Sequence, residues 1–281
     1  MAAQQAWQEQ WSLGDAYERY IGRWSRLVAC RFVTWLALPP ALRWIDVGCG
    51  TGALTQLILD HGAPATVLGL DPSEGFIACA RRLVTDARAH CQCGAVQALP
   101  LADASVDVVV SGLVLNFTPD PARALTEMVR VVRPGGTVAA YVWDYADGMQ
   151  MIRLFWEAAA ALDRDALALD EGRRFPICRK EALRALWQEG GLVQVECCDI
   201  DVPTPFRSFD ELWSPFLGGQ GPAPTYCAAL TEGARGALRD RLQAMVPVRP
   251  DGTIALTARA FAVRGARPDT PNWPNASLTQ P

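Results

Sequence analysis

The stretch WIDVGCGTGALT, from Trp44 to Thr55, limits the fold more firmly than any other part of the chain. Trp44, Ile45 and Val47 read as a short buried strand. Gly48, Gly50 and Gly52 then crowd into a turn, and Leu54, Leu57 and Ile58 fall on one face of a helix. Glycine at such a turn frees φ and removes the side chain that would hold a ligand away from the backbone. The helix that follows offers unpaired N–H groups at its start. Asp71 ends the next strand, ATVLGLD, at the spacing of about 20 residues where a carboxylate accepts the hydroxyls of a ribose. Strand, loop, helix and acid together point to a nucleoside site.

The loop alone leaves the ligand open. Gly48-Cys49-Gly50-Thr51-Gly52-Ala53 satisfies the general dinucleotide pattern G-x-G-x-x-A. Two features argue against a dinucleotide. About 40 residues of helical character precede the first strand, whereas many dinucleotide folds begin near that strand. Asp46 lies two residues before Gly48, where its charge repels a pyrophosphate and suits an ammonium group or a network holding the loop.

The rest of the chain repeats a β-α alternation. A helix is expected from about Tyr17 to Leu36, stopped by LPP. Strands are expected at Arg43 to Val47, at ATVLGLD, at AHCQCG, at VDVVVSG and at TVAAYVW. Helices between them run from Thr51 to His61, from Ser73 as a cap to about Thr85, and from Pro121 to Val132, where RPGG ends the last. The apolar VDVVVSG suits a parallel sheet covered on both faces. The alternation predicts right-handed crossovers and a doubly wound α/β sheet. Beyond Asp144 helices are expected over Met149–Leu162 and Lys180–Glu189, and strands at LVQVECCDIDV and GTIALTARAFAVRG. Between these strands lies PFRSFDELWSPFLGGQGPAP, rich in Trp, Phe, Pro and Gly, then a helix to about Met245. The expected division is an N-terminal helical cap over 1–40, a main domain over 41–265 with a lid over about 203–247, and a disordered tail over 266–281.

Composition removes several classes. Half of the 281 residues are apolar, a fifth are charged and the formal net charge is −4, so no basic nucleic-acid footprint exists. No run of about 18 apolar residues suggests a membrane span. MAAQQAWQEQW has neither the basic nor the apolar region of a secretory signal. Nine cysteines at irregular spacing, with Cys91 and Cys93 two apart and Cys197 beside Cys198, lack the two-by-two pattern of a zinc site. Reduced thiols in a cytoplasmic protein, without metal and without nucleic-acid or membrane partners, are the expectation.

The set DVGCGTG, GLDPS, ALPLADASVDVVVS and VVRPGGTVAAYVW resembles the class I S-adenosylmethionine-dependent methyltransferases. It is most similar to the small-molecule group that includes the ubiquinone and menaquinone C-methyltransferases. The resemblance runs from about Tyr17 to Trp143. It implies a mostly parallel seven-stranded sheet in the order 3-2-1-4-5-7-6, the last strand antiparallel, with helices on both faces and a small helical lid. It implies S-adenosyl-L-methionine as cofactor and a small-molecule methyl acceptor, with the protein a monomer or homodimer. By the same resemblance Asp46 and the backbone of Gly48, Cys49, Gly50 and Gly52 would face the methionine end of the cofactor. Asp71 would hold the ribose, with Pro72 against the adenine and Val96 and Gln97 at its edge. Ser111 and Leu113 would line the methyl-transfer site, and Tyr17, Tyr20 and Arg23 would close over the cofactor. Where the family often carries an acid for the adenine amino group, this chain has Ala95.

No residue stands out as a catalytic base. His61 and His90 fall on the wrong side of the expected sheet. Methyl transfer needs alignment more than acid–base help, and a base only if the acceptor must lose a proton. Trp143, Asp144 and Tyr145 lie at the carboxyl edge of the sheet as candidates to touch the acceptor, and Phe206, Phe209, Trp213 and Phe216 are candidates to roof an apolar or aromatic acceptor. A cofactor-binding homologue with little turnover and a nicotinamide oxidoreductase remain as alternatives.

Overall fold

Val108, Val109 and Val110 have no exposed surface, because the strand they form is covered by helices on both faces. The computed structural model describes residues 22–218 and 221–269. Its elements run α1 (Arg23–Leu36), β1 (Arg43–Val47), α2 (Ala53–His61), β2 (Thr66–Asp71), α3 (Glu74–Leu83), β3 (Ala89–Cys93), β4 (Val106–Gly112) and α4 (Pro121–Val131). They continue with β5 (Val132–Trp143), α5 (Gln150–Leu162), α6 (Glu171–Arg174), α7 (Lys180–Glu189), β6 (Val193–Phe206), α8 (Phe209–Trp213), α9 (Pro222–Ala229), α10 (Glu232–Met245) and β7 (Ile254–Ala266).

The seven strands form one sheet in the order β3-β2-β1-β4-β5-β7-β6. The first five are parallel, and β7 runs antiparallel to both β5 and β6. Helix starts follow the capping rules. The Ser73 hydroxyl accepts from the Phe76 N–H, and Asp120 caps α4 with Pro121 behind it.

Two expectations need correction. The helix ends before RPGG as expected, but β5 begins at Val132 and not at Thr137. α4 passes straight into β5, and the register steps from Val106 opposite Val132 to Val108 opposite Thr137. Arg133 to Gly136 therefore bulge out of the ladder, with Gly135 at φ +69°. Second, β6 runs on past Val202 to Phe206 through Pro203 and Pro205. Proline is tolerated there because β6 is the edge strand and needs no further donor on its outer side.

The long β6–β7 ribbon shapes the functional end. β5 stops at Trp143, opposite Ala260, while β7 residues 254–259 run on beyond it, paired with β6 residues 201–206. This ribbon rises beyond the carboxyl edge of the parallel strands and carries the helical insertion α8, α9 and α10. Helix α1 packs against it. Trp24 meets Phe206 edge-on at 5.3 Å, and Arg31 donates to the Asp201 carbonyl. The last strand continues to Ala266, so the expected tail boundary falls inside β7; residues 270–281 lie outside the described residues. Among the described residues no helix is long and apolar enough to cross a membrane, and no cluster of three His, Cys, Asp or Glu is placed to hold a metal.

Candidate functional site

The glycine loop leaves β1 and turns into α2 directly beside the end of β2. The N–H groups of Gly48 and Cys49 both donate to the Leu70 carbonyl, at 2.7 and 2.9 Å. Gly48, Gly50 and Gly52 all have positive φ. They have different neighbours. A Cβ on Gly48 would strike Val114 at 2.4 Å, and one on Gly52 would strike Val84 at 2.6 Å. A Cβ on Gly50 would meet nothing within 4 Å, because Gly50 faces a cavity.

That cavity holds about 510 Å³ and opens at the carboxyl ends of β1, β2, β4 and β5. Such an edge is where open α/β sheets bind ligands. Asp46, Gly48, Cys49 and Gly50 line it from the loop, and Asp71 and Pro72 from the end of β2. Ala95, Val96 and Gln97 line it after β3, and Leu113 after β4. Leu113 adopts φ +61°, a left-handed conformation that costs a non-glycine residue energy and is typical of a functional wall. Its N–H donates to the Tyr141 carbonyl, which fixes the bend.

Two carboxylates face this space, the only Asp or Glu side chains lining it among the described residues. Asp46 is 1% exposed. Its Oδ2 accepts from the Thr55 hydroxyl at 2.7 Å, while its Oδ1 is buried and without a partner. Burial pushes its carboxyl up to about 7, against the Thr55 hydrogen bond and with the nearby Asp71 adding to the rise. An enclosed carboxylate oxygen with no donor is costly unless a cation or donor arrives. Asp71 joins the loop to α3. Its Oδ2 accepts from the Gly50 N–H at 3.1 Å and its Oδ1 from the Ser73 N–H at 2.9 Å. Burial raises its pKa, opposed by the Ser73 and Gly50 hydrogen bonds. A carboxylate has about four acceptor sites, so two remain for hydroxyl donors.

Several expected positions lie elsewhere. Tyr17 and Tyr20 lie outside the described residues. Arg23 does not line the cavity. It pairs with Glu211 of α8 at 3.2 Å and lies over the rings of Trp24 and Phe206. Ser111 is fully buried and donates to the Val47 carbonyl at 2.9 Å, tying β4 to β1 behind the cavity. Gly52 serves the turn, not the wall. Asp144 caps the loop after β5, accepting from the Asp147 N–H at 3.1 Å. Phe209, Trp213 and Phe216 are buried inside the helical insertion and do not roof the cavity. Phe216 stacks on Phe155 of α5 at 4.4 Å, Trp213 lies against Phe216, and the Arg239 guanidinium covers Phe209. Their apolar area is spent holding the insertion to α5.

The aromatic wall comes from Trp143 and Tyr145, both expected at this edge, together with Tyr141 on β5 and Phe117 after β4. Phe175 bridges Phe117 and Tyr145 at 5.5 and 5.9 Å. Alternation along a strand puts 141 and 143 on one face, which is the signal that marks both together. Ser25 and Ala29 of α1 also line the cavity. Nothing local in the sequence marks them, because they arrive only through the packing of α1.

A family model described as a methyltransferase domain matches residues 45–140, the part that carries the loop, both carboxylates and β4 to β5. The chain is 30% identical over 230 residues to a 2-methyl-6-phytyl-1,4-hydroquinone methyltransferase of Synechocystis, covering 80% of this chain and 66% of that protein. It is 34% identical over 128 residues to a malonyl-[acyl-carrier protein] O-methyltransferase of Serratia marcescens, covering 41% of this chain and 49% of that protein. The chain thus spans two thirds of one of these relatives and about half of the other. Its fold is similar to a Haemonchus contortus phosphoethanolamine N-methyltransferase solved with S-adenosylhomocysteine. The TM-score is 0.56 at 16% identity, covering 90% of this chain and 56% of that one.

Proposed function

Because the chain belongs to the class I S-adenosylmethionine-dependent methyltransferases, we propose that it moves a methyl group to a small apolar or aromatic acceptor at the sheet-edge cavity. The observation that carries this reading is the unpartnered Oδ1 of Asp46 in a cavity whose far wall is aromatic. An ammonium group satisfies that oxygen, and the two free acceptor sites of Asp71 suit a ribose diol. Gly50 leaves room for the ligand against the loop, and Val96 and Gln97 flank the adenine. Ala95 has no side-chain acceptor, so the adenine amino group pairs with backbone or water. When bound, S-adenosylmethionine supplies a sulfonium methyl group already activated for in-line displacement.

The chain's own residues then have to align and enclose. Correct alignment of two reactants is worth roughly 7–11 kcal/mol of barrier. Among the described residues the lining holds no histidine or lysine, which suits a mechanism without a dedicated base. Phe117, Tyr141, Trp143 and Tyr145 would bury an apolar acceptor. The hydroquinone in the name of the Synechocystis relative gives that class a concrete starting point. The N-terminal helical cap over 1–40 is proposed to close over the cofactor, and the helical insertion over about 203–247 to serve as the lid on the acceptor side. A cytoplasmic monomer or homodimer without nucleic-acid partners fits the nine free thiols and the acidic balance. A screen with labelled methyl donor against hydroquinones, phenols and acyl carboxylates tests the reading. Label in an aromatic acceptor supports it; cofactor binding with no labelled product from any acceptor favours the homologue without turnover.

Two outcomes follow from the loop. Gly50→Val puts a branched side chain into the cavity and into positive φ, which disfavours L residues by about 1–2 kcal/mol. Calorimetry with S-adenosylhomocysteine should therefore find affinity nearly abolished while the melting temperature falls only modestly. Normal binding would mean that the ligand does not lie against Gly50.

Asp46 links binding to pH. An ammonium ligand selects its carboxylate form, and that form is scarce below about pH 7. Affinity for S-adenosylhomocysteine should rise about tenfold between about pH 6 and about pH 8 and then level off. Asp71, also raised, acts in the same direction, so Asp46→Asn should weaken binding and flatten the profile in part. In the unliganded protein the sign is opposite. A carboxyl whose folded pKa lies above its unfolded value loses stability as pH rises from about 4 through about 7. A flat affinity profile in the parent protein would exclude Asp46 from contact with the ligand's ammonium.

A further inference from the structure

A second cleft, of about 590 Å³, lies between α5 and the segment that carries α6, away from the sheet-edge cavity. It is within the size range that holds small molecules. Four arginines line it: Arg153 on α5, Arg164 in the 3-10 turn Arg164–Ala168, Arg173 on α6 and Arg179 just before α7. Three carboxylates share the lining, but they do not neutralise this set. Asp170 is 3% exposed and committed: it accepts from Arg153 Nη1 at 2.9 Å, from Arg153 Nη2, and from the Gly172 N–H. Asp147 and Glu157 are exposed, and neither forms an ion pair with these arginines. Arg164, Arg173 and Arg179 have no ion-pair partner among the described residues, and the Nε of Arg153 is buried without an acceptor.

Three exposed arginines without ion-pair partners among the described residues, from three separate segments, thus line one cleft in a chain of net charge −4. Like charges so gathered repel one another until an anion enters. Guanidinium forks match phosphate oxygens bidentately, and three free forks present more donors than the roughly four acceptor sites of a single carboxylate can use. We propose that this cleft binds a small molecule bearing a phosphoryl group. The Arg153–Asp170 pair, with Asp170 buried and Arg153 half-buried, holds the base of the site, and Arg164, Arg173 and Arg179 close on the anion. The nearest link to the first cavity is the loop after β5: Trp143 and Tyr145 line one space, Ala146 and Asp147 the other.

The test is titration of the full chain with pyrophosphate at low ionic strength, followed by calorimetry. Saturable binding at one site is expected. Arg173→Ser with Arg179→Ser should lower that affinity at least about tenfold, while S-adenosylhomocysteine affinity stays unchanged. Arg249→Ser, an exposed arginine far along the chain, should leave both unchanged. If the double variant melts early, Arg164→Ser alone provides the same comparison. Absence of saturable binding, or equal loss in Arg249→Ser, would overturn the site. Succinate binding as tightly as pyrophosphate would overturn its assignment to a phosphoryl group.

Discussion

Asp71→Ala should weaken S-adenosylhomocysteine binding at least about a hundredfold. Two hydroxyl bonds to a carboxylate are worth roughly 1.5–3 kcal/mol each, and both are lost together. The structure adds a second loss. Asp71 also accepts the N–H of Gly50 and of Ser73, so its removal releases the glycine loop from the start of α3. The loop then has to be ordered at the ligand's expense. Asp71→Asn keeps one acceptor oxygen but turns an amide donor toward a backbone N–H, so it should fall between parent and alanine. The fold should survive in both, since the sheet pairing of β2 does not depend on this side chain. Calorimetry beside a thermal melt separates the two effects. Equal affinity in parent and alanine variant would remove Asp71 from the site.

Trp213→Ala should act on stability instead. Trp213 is 6% exposed and lies against Phe216, which in turn stacks on Phe155 of α5. Removing a buried aromatic of this kind costs roughly 3–5 kcal/mol. For a chain of this size each kcal/mol lowers the melting temperature by about 2–4 °C. The expected shift is therefore large, while affinity for S-adenosylhomocysteine should stay within about twofold, because Trp213 does not line the cavity. An unchanged melt with methyl transfer lost would return Trp213 to the acceptor roof.

Trp213 also marks where a sequence stops being informative. The five parallel strands are legible because apolar runs such as VDVVVSG can only be central in a covered sheet, and the glycine loop is legible because its spacing is local. Asp46 and Asp71 inherit their positions from those strands. The roof is different. PFRSFDELWSPFLGG carries aromatics that suit a pocket wall and a helical core equally, and only the tertiary packing onto Phe155 decides between them. Arg23 was placed by resemblance, yet a carboxylate 188 residues away, Glu211, takes it. Ser25 and Ala29 reach the cavity because α1 leans on the protruding β6–β7 ribbon, whose length is hidden by Pro203 and Pro205. Prolines read as strand breakers unless the strand is known to be an edge. The unpaired arginines of the second cleft are scattered over the 3-10 turn Arg164–Ala168, α6 and the approach to α7, so no spacing in the sequence gathers them.

The central claim is that the cavity bounded by Asp46, Gly50 and Asp71 is an S-adenosyl site in a working methyltransferase. The most direct measurement is a calorimetric titration of the parent protein with S-adenosylhomocysteine, run in parallel with NAD. The account predicts one saturable site for S-adenosylhomocysteine, lost in Asp71→Ala, and no measurable heat with NAD, whose pyrophosphate would face the Asp46 carboxylate. Tighter binding of NAD, or S-adenosylhomocysteine binding untouched by Asp71→Ala, would contradict it.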